Sequence, residues 1–300
     1  MTTAPHPARR RTAVYRDAAG ERLIRSWCRA RLAAHPAPRE RTLATSLGPT
    51  PVFTADGGPG TPVLLLAGTN FNSATDLPVA RALARDRAVH LVDLPGQPGL
   101  APPHRPGGDR LAAYGTWLAD ILAHLADRPV LVLGHSLGAA VALSCAPSDR
   151  VAGLALVGPA GLAPAAIGPA LLRATLPWLL APSPATSARL LDHMSGPAPA
   201  HGRERDRQDA WLTLVARHCR TSLAPRPLPD RVVRRWRTTP VRVAAGAHDC
   251  FFPPARLAAP ARRLLGTGVH GIPGAGHLAP HERPDDIRAL LRELDPAPGA

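Results

Sequence analysis

Runs of nearly continuous apolar residues, each of strand length, constrain this chain more than any other feature. They are PVLLLAG at 62–68, the opening of AVHLVDLPG at 88–96, PVLVLG at 129–134, VAGLALVG at 151–158 and VRVAAG within 239–249. A strand with one wet face alternates apolar and polar residues. These runs do not, so each expects cover on both faces. The segments between them carry helical spacing: 73–86, 109–127, 137–146, 254–266 and 279–295. Strands alternating with helices predict a mostly parallel sheet with helices on both faces, an α/β fold. RTLATSLGPTPVFTADGG reads as an antiparallel hairpin joined at Gly48-Pro49, and TGVHGIPG as a last short strand, for about eight strands in all.

The alternation fails between 159 and 236, where PALLRATLPWLLA and DAWLTLVARHCRTSL read as helices. Upstream, 14–35 reads as a helix with Leu23, Ile24, Trp27 and Leu32 on an apolar stripe. The expected organisation is an N-terminal helical arm (1–39), an α/β core (40–158 and 237–300) and a helical lid (159–236). At 300 residues the chain is long enough for such a core. The uncharged stretch 151–172 is long enough to span a bilayer, but four glycines and three prolines interrupt it. It reads as a strand, a turn and the start of an apolar segment, so no integral membrane segment is expected. The N-terminus lacks the apolar stretch of a signal peptide.

The net charge is +14, and every basic side chain counted with lysine is arginine. The arginines are scattered and often sit beside acids, as in RERDRQD, and no recognition motif accompanies the basic segments. A solvated surface is expected, and no nucleic-acid partner. The four cysteines form no CxxC pair, so neither a zinc site nor a redox dithiol is expected. A reduced, cytoplasmic setting follows as the default.

GHSLG at 134–138 places a serine between two glycines, after a strand and before a helix. That context is what a nucleophile elbow requires. The pattern arises by chance in fewer than about one in ten chains of this composition. Ser136 would be lifted to the carboxyl edge of the sheet, where open α/β folds place their chemistry. The N–H of Leu137 would face a developing oxyanion. A serine nucleophile needs a base, and the base an orienting carboxylate, in the chain order Ser, acid, His. Asp249, in GAHDCFFPP, and His277, in GAGHLAPHERP, each follow a predicted strand on that edge. His248 reads as a turn residue, His270 lies within the last strand and His281 on the closing helix. Asp93 reads as a loop-ordering residue. Gly158-Pro159-Ala160, after the preceding strand, offers no rival carboxylate. The second oxyanion donor is expected from Thr69 N–H, with Asn70 next, although this pair would also suit capping of the following helix. Cys250 reads as a small buried hydrophobe rather than a reactive thiol.

On these residues the chain resembles the α/β-hydrolase superfamily over roughly residues 40 to 300. LLLAGTN at 64–70, VDLPGQPG at 92–99, GHSLG, GAHDCFFPP and GAGHLAPHERP carry the resemblance. AGTNFNSATDLP and the helical arm with LGPTPVF look like a bacterial serine-esterase branch with a helical lid. One departure is Ala67-Gly68, where many relatives have His-Gly to order the oxyanion loop. The resemblance implies hydrolysis of a carboxylic ester of a small, apolar substrate through an acyl-enzyme, with no cofactor or metal. Thioesterase, lactonase, perhydrolase and carbon–carbon hydrolase chemistry share the same triad, and a ligand receptor shares the fold. Asn70, His135, Trp178 and Phe251 are the expected substrate contacts, with the His135 ring turned away from the serine. A homo-oligomer is left open.

Overall fold

The computed structural model describes residues 13–33, 37–125, 128–197, 202–222 and 224–295. Parts of the expected arm (1–12 and 34–36) and of the expected lid (198–201 and 223) lie outside them. The chain opens with α1 (Ala18–Leu32), β1 (Arg39–Leu43), β2 (Thr50–Leu66), α2 (Leu77–Leu83) and β3 (Arg87–Val92). It continues with α3 (Arg110–Leu125), β4 (Val130–His135), α4 (Leu137–Ser144) and β5 (Val151–Val157). Four helices then interrupt the alternation: α5 (Pro169–Leu180), α6 (Pro184–Met194), α7 (Arg203–His218) and α8 (Asp230–Arg234). The core resumes with β6 (Val241–Gly246), α9 (Pro254–Leu265), β7 (Val269–Ile272), α10 (Ala279–Glu282) and α11 (Pro284–Arg292).

All seven strands form one sheet, in the order β1-β2-β4-β5-β6-β7 with β3 paired to β2. The hairpin pair β1–β2 is antiparallel, and the ladders from β2 through β4, β5 and β6 to β7 are parallel. The expected eighth strand is accounted for inside β2. Its second hairpin strand and the apolar run at 62–66 are one continuous element. Val52, Phe53, Thr54 and Ala55 face Val92, Leu91, His90 and Val89, whereas Val63 to Leu66 face Val89 to Val92. The partners descend along one leg and ascend along the other. The two legs therefore flank β3, and seven strands fill eight positions across the sheet.

Both faces are covered, as the runs required. Val63, Leu65 and Leu133 pack toward α1, α2 and α11, while Leu64, Leu66 and Val132 pack toward α3, α4 and α9. Several elements differ from expectation. On α1 the buried stripe is Gly20, Ile24, Cys28 and Leu32, and Leu23 faces solvent. The helix expected at 73–86 begins only at Leu77, because the Asn72 side chain accepts from the N–H groups of Ala74 and Thr75 and closes a turn there. The closing helix breaks at Arg283, the residue before Pro284. An additional helix, α6, starts from a capping box between Ser183 and Thr186. Among the described residues no helix is long and apolar enough to cross a membrane.

Candidate active site

Parallel strands end on one edge, so the segments after β2, β4, β5, β6 and β7 meet there. Ser136 alone joins β4 to α4, with φ 51° and ψ −111°. An L-residue there is strained and must be held by its surroundings. Ser136 N–H donates to Val157 O at 3.0 Å, and Ser136 O accepts from Ala139 and Ala160 N–H at 3.1 and 3.2 Å. The flanking glycines are steric requirements. A Cβ on Gly134 would lie 2.6 Å from Ala139 Cα, and one on Gly138 would lie 2.0 Å from Leu66 O.

Asp249 and His277 meet across 28 residues of chain: His277 Nδ1 donates to Asp249 Oδ2 at 2.9 Å. Both side chains are buried. Because a carboxylate only accepts, Nδ1 carries the proton and Nε2 is left as the basic nitrogen. Asp249 Oδ1 accepts from the N–H groups of Phe251 and Phe252, each at 2.8 Å. Burial pushes this carboxyl up, but the facing His277 and the two N–H donors outweigh it and hold the carboxyl below its ordinary value. The backbone of His277 is fixed at both ends. Its N–H donates to Met194 O at 2.7 Å, and its carbonyl accepts from His135 Nε2–H at 2.8 Å. The rings of Phe251 and His135 stand 4.7 and 5.0 Å from the imidazole, centre to centre.

Ser136 and His277 line one cavity of about 230 Å³, together with Thr69, Asn70, His135, Trp178 and Phe251. The expected contact residues are thus brought to the same space. The His135 ring faces His277, and burial, followed by the neighbouring His277, pushes its pKa down to about 3, so it is neutral. Its Nε2–H is already committed to the His277 carbonyl. Trp178 presents its ring, since its N–H is spent on Leu212 O at 3.0 Å. The remaining wall is mostly apolar, built from α5, α6 and α7 residues such as Leu171, Leu190 and Leu212 with Phe252, and broken by the hydroxyls of Thr175, Thr221 and Ser222.

The turn after β2 separates the two candidate oxyanion donors. Asn70 N–H donates to Gln97 Oε1 at 3.1 Å and is unavailable to a ligand. Among the described residues, Thr69 N–H has no such acceptor. Leu137 opens α4, so its N–H has no intrahelical partner. The capping alternative fails, because the residue before α2 is Asp76. With alanine at 67, other groups order the turn. Asn70 O accepts from Trp211 Nε1 at 2.7 Å, and Asn70 Nδ2 donates to Thr221 Oγ1 at 3.1 Å. Asp93 has the loop-ordering position expected of it, accepting from Ser73 N–H at 2.7 Å and Leu100 N–H at 2.6 Å.

Sequence reasoning missed three supports: Gln97, Trp211 and Gly158. Gly158 has φ +50°, and a Cβ there would lie 2.7 Å from Asp249 Oδ2 and 3.2 Å from His277 Nδ1. The only signal was the Gly-Pro step after a strand. The other histidines lie elsewhere. His248 and His270 are exposed. His281 pairs with buried Asp76 at 3.1 Å. Cys250 is a protonated thiol, pushed by burial to about 12. Among the described residues no group of three or more His, Cys, Asp or Glu side chains converges to hold a metal.

Comparison with known proteins agrees with this architecture. The fold superposes on the carboxylesterase CesB (YbfK) of Bacillus subtilis with a TM-score of 0.72 at 17% identity, covering 92% of this chain and 98% of the other. The naproxen esterase (carboxylesterase NP) of Bacillus subtilis gives 0.71 at 19% identity, covering 89% and 95%. The esterase RhEst1 of Rhodococcus sp. ECU1013 gives 0.65 at 21% identity, covering 85% and 97%. No curated protein matches the sequence significantly. The sequence model described as the alpha/beta hydrolase family matches residues 63–290, from the second leg of β2 to α11. With the sheet order, the elbow and that match in agreement, the chain belongs to the alpha/beta hydrolase family.

Proposed function

We propose that this protein is a serine hydrolase that cleaves carboxylic esters bearing an apolar acyl or alcohol group. The observation that carries this reading is a serine on a strained elbow that opens into the same cavity as a carboxylate-oriented imidazole. In this mechanism Ser136 Oγ attacks the ester carbonyl while His277 Nε2 takes its proton. Asp249 keeps the ring in the Nδ1–H tautomer and stabilises the imidazolium that forms. The N–H groups of Thr69 and Leu137 bind the oxyanion. His277 returns its proton to the leaving alkoxide, and the acyl group stays on Ser136. Water, deprotonated by His277, then attacks the acyl carbon; the bond to Ser136 Oγ breaks, the acid leaves, and His277 returns the proton to Oγ. The 159–236 segment serves as a lid over an α/β core of 40–158 and 237–300, with 1–39 as an arm. Its α5–α7 wall favours apolar groups in the bound ester. The esterase names of the three superposed structures support this chemistry.

The test is turnover of p-nitrophenyl esters of increasing acyl length by wild type and Ser136→Ala. The variant should lose about 10⁴-fold or more in kcat. Equal turnover by the two proteins would remove Ser136 from the mechanism.

A further inference from the structure

Five large hydrophobic side chains are exposed among the described residues, and four of them lie within fourteen residues: Ile167 (63%), Leu172 (46%), Leu176 (50%) and Leu180 (81%). Leu172, Leu176 and Leu180 follow one another at four-residue intervals and so share one face of α5. Exposed apolar side chains scattered singly need no explanation, but a contiguous stripe marks a surface that something covers. This stripe is continuous with the candidate active site, since Ile167 and Leu172 also line its cavity. Whatever covers the stripe therefore stands at the cavity mouth.

The rim of the stripe is basic. Arg173 is exposed on α5 itself. Arg256, from α9, reaches Pro164 O at 3.5 Å, and Arg217, from α7, reaches Pro182 O at 3.1 Å, so an exposed guanidinium marks each end. No acidic residue occurs from 151 to 191. The first acid beyond, Asp192 on α6, is paired with Arg205 at 2.6 Å. A second copy of the chain fits this face poorly. A two-fold contact sets a patch against itself, and here it would oppose arginine rims with no acid from 151–191 between them. An anionic surface satisfies both the apolar stripe and its rim. At 12 residues α5 is too short to cross a bilayer, but with its inner side packed on the protein through Leu171 and Trp178 it can lie in the interface plane and set Leu172, Leu176 and Leu180 among the acyl chains.

We propose that the 167–180 face docks on an anionic lipid surface and delivers esters from that surface into the cavity. The delivery step rests on the esterase reading above; the docking step does not.

The test is co-sedimentation of the whole chain with phosphatidylglycerol and with phosphatidylcholine vesicles, alongside the double variant Leu176→Asp/Leu180→Asp and the single variant Arg173→Glu. Leu176, Leu180 and Arg173 do not line the cavity. Wild type should pellet with phosphatidylglycerol vesicles and less with phosphatidylcholine. The double variant should bind phosphatidylglycerol vesicles about tenfold more weakly, and Arg173→Glu should weaken that binding in particular. Turnover of monomeric p-nitrophenyl acetate should be unchanged in both variants. Wild type remaining in the supernatant with phosphatidylglycerol would overturn the proposal. So would undiminished binding by the double variant, or a wild-type dimer that the double variant splits. Vesicle binding without any ester turnover would uphold docking and defeat the esterase reading alone.

Discussion

Ser136 and Asn70 are the two non-glycine residues with positive φ among the described residues, and both line the same cavity. Strain of this kind persists only where surrounding contacts fix it, and here each strained residue is tied by both its N–H and its carbonyl. Gly158 has the complementary role: it leaves room for the Asp249–His277 pair. Gly158→Ala should therefore lower kcat about 100-fold, by displacing Asp249 or His277 from the geometry their hydrogen bond needs. It should also destabilise the fold by about 1–2 kcal/mol through its left-handed φ. Ester turnover and a thermal melt measure the two effects, and full activity would mean that the space at Gly158 does not set the geometry of the pair. Much at this scale was legible. Ser136, Asp249 and His277 each follow a strand end, and strand ends are visible as apolar runs. Gly158 and Gln97 were not legible as supports, because their importance lies in contacts between loops far apart in the chain.

The helix α1 reaches the turn after β2 through whole elements. Trp27 on α1 packs on Trp211 of α7 with ring centres 4.6 Å apart, and Trp211 Nε1 holds Asn70 O. Beside it Asn72 Nδ2 donates to Cys28 Sγ at 3.4 Å, and before α1 the Tyr15 hydroxyl donates to Gly99 O at 2.7 Å. The residues around α1, α7 and the two loops thus form one packed unit around the turn after β2. Trp211→Phe keeps one aromatic ring against Trp27 and removes the N–H together with the second ring of the indole. It should lower kcat about five- to tenfold, the worth of one hydrogen bond on a strained turn, with KM within about twofold. Steady-state kinetics on a short ester separates the two constants, and a rise in KM alone would place Trp211 in substrate binding instead. None of this unit was legible, because a helical stripe shows that a face is buried but not against which partner. The same limit explains β2. Periodicity revealed two strands there, but only the sheet shows them to be one strand wrapped around β3.

Across the whole molecule, acid stability depends on buried histidines as well as on the net charge. Burial, followed by the nearby Arg41 and Arg39, lowers His90 to about 4, and burial lowers His135 to about 3. Both are neutral bases that the fold keeps unprotonated. Below the unfolded value near 6.5 the unfolded chain binds protons that the folded chain refuses, so stability falls as pH falls. Each group contributes up to about 1.4 kcal/mol per pH unit until its folded pKa is reached. The depressed carboxylates, Asp249 among them, act in a lower window. Their stabilisation is complete above the unfolded value near 4 and is lost as pH falls below it. His90 lies on β3, where it bonds Thr54 Oγ1 at 2.9 Å, and it does not line the cavity. His90→Gln should keep a polar partner for Thr54 and remove the titration. Between pH 7.5 and pH 5, urea melts of the variant should show about 2 kcal/mol less loss of stability than wild type. Self-repulsion from the +14 charge grows in both proteins alike and cancels in that difference. Identical pH slopes for the two proteins would mean that His90 titrates freely in the folded chain.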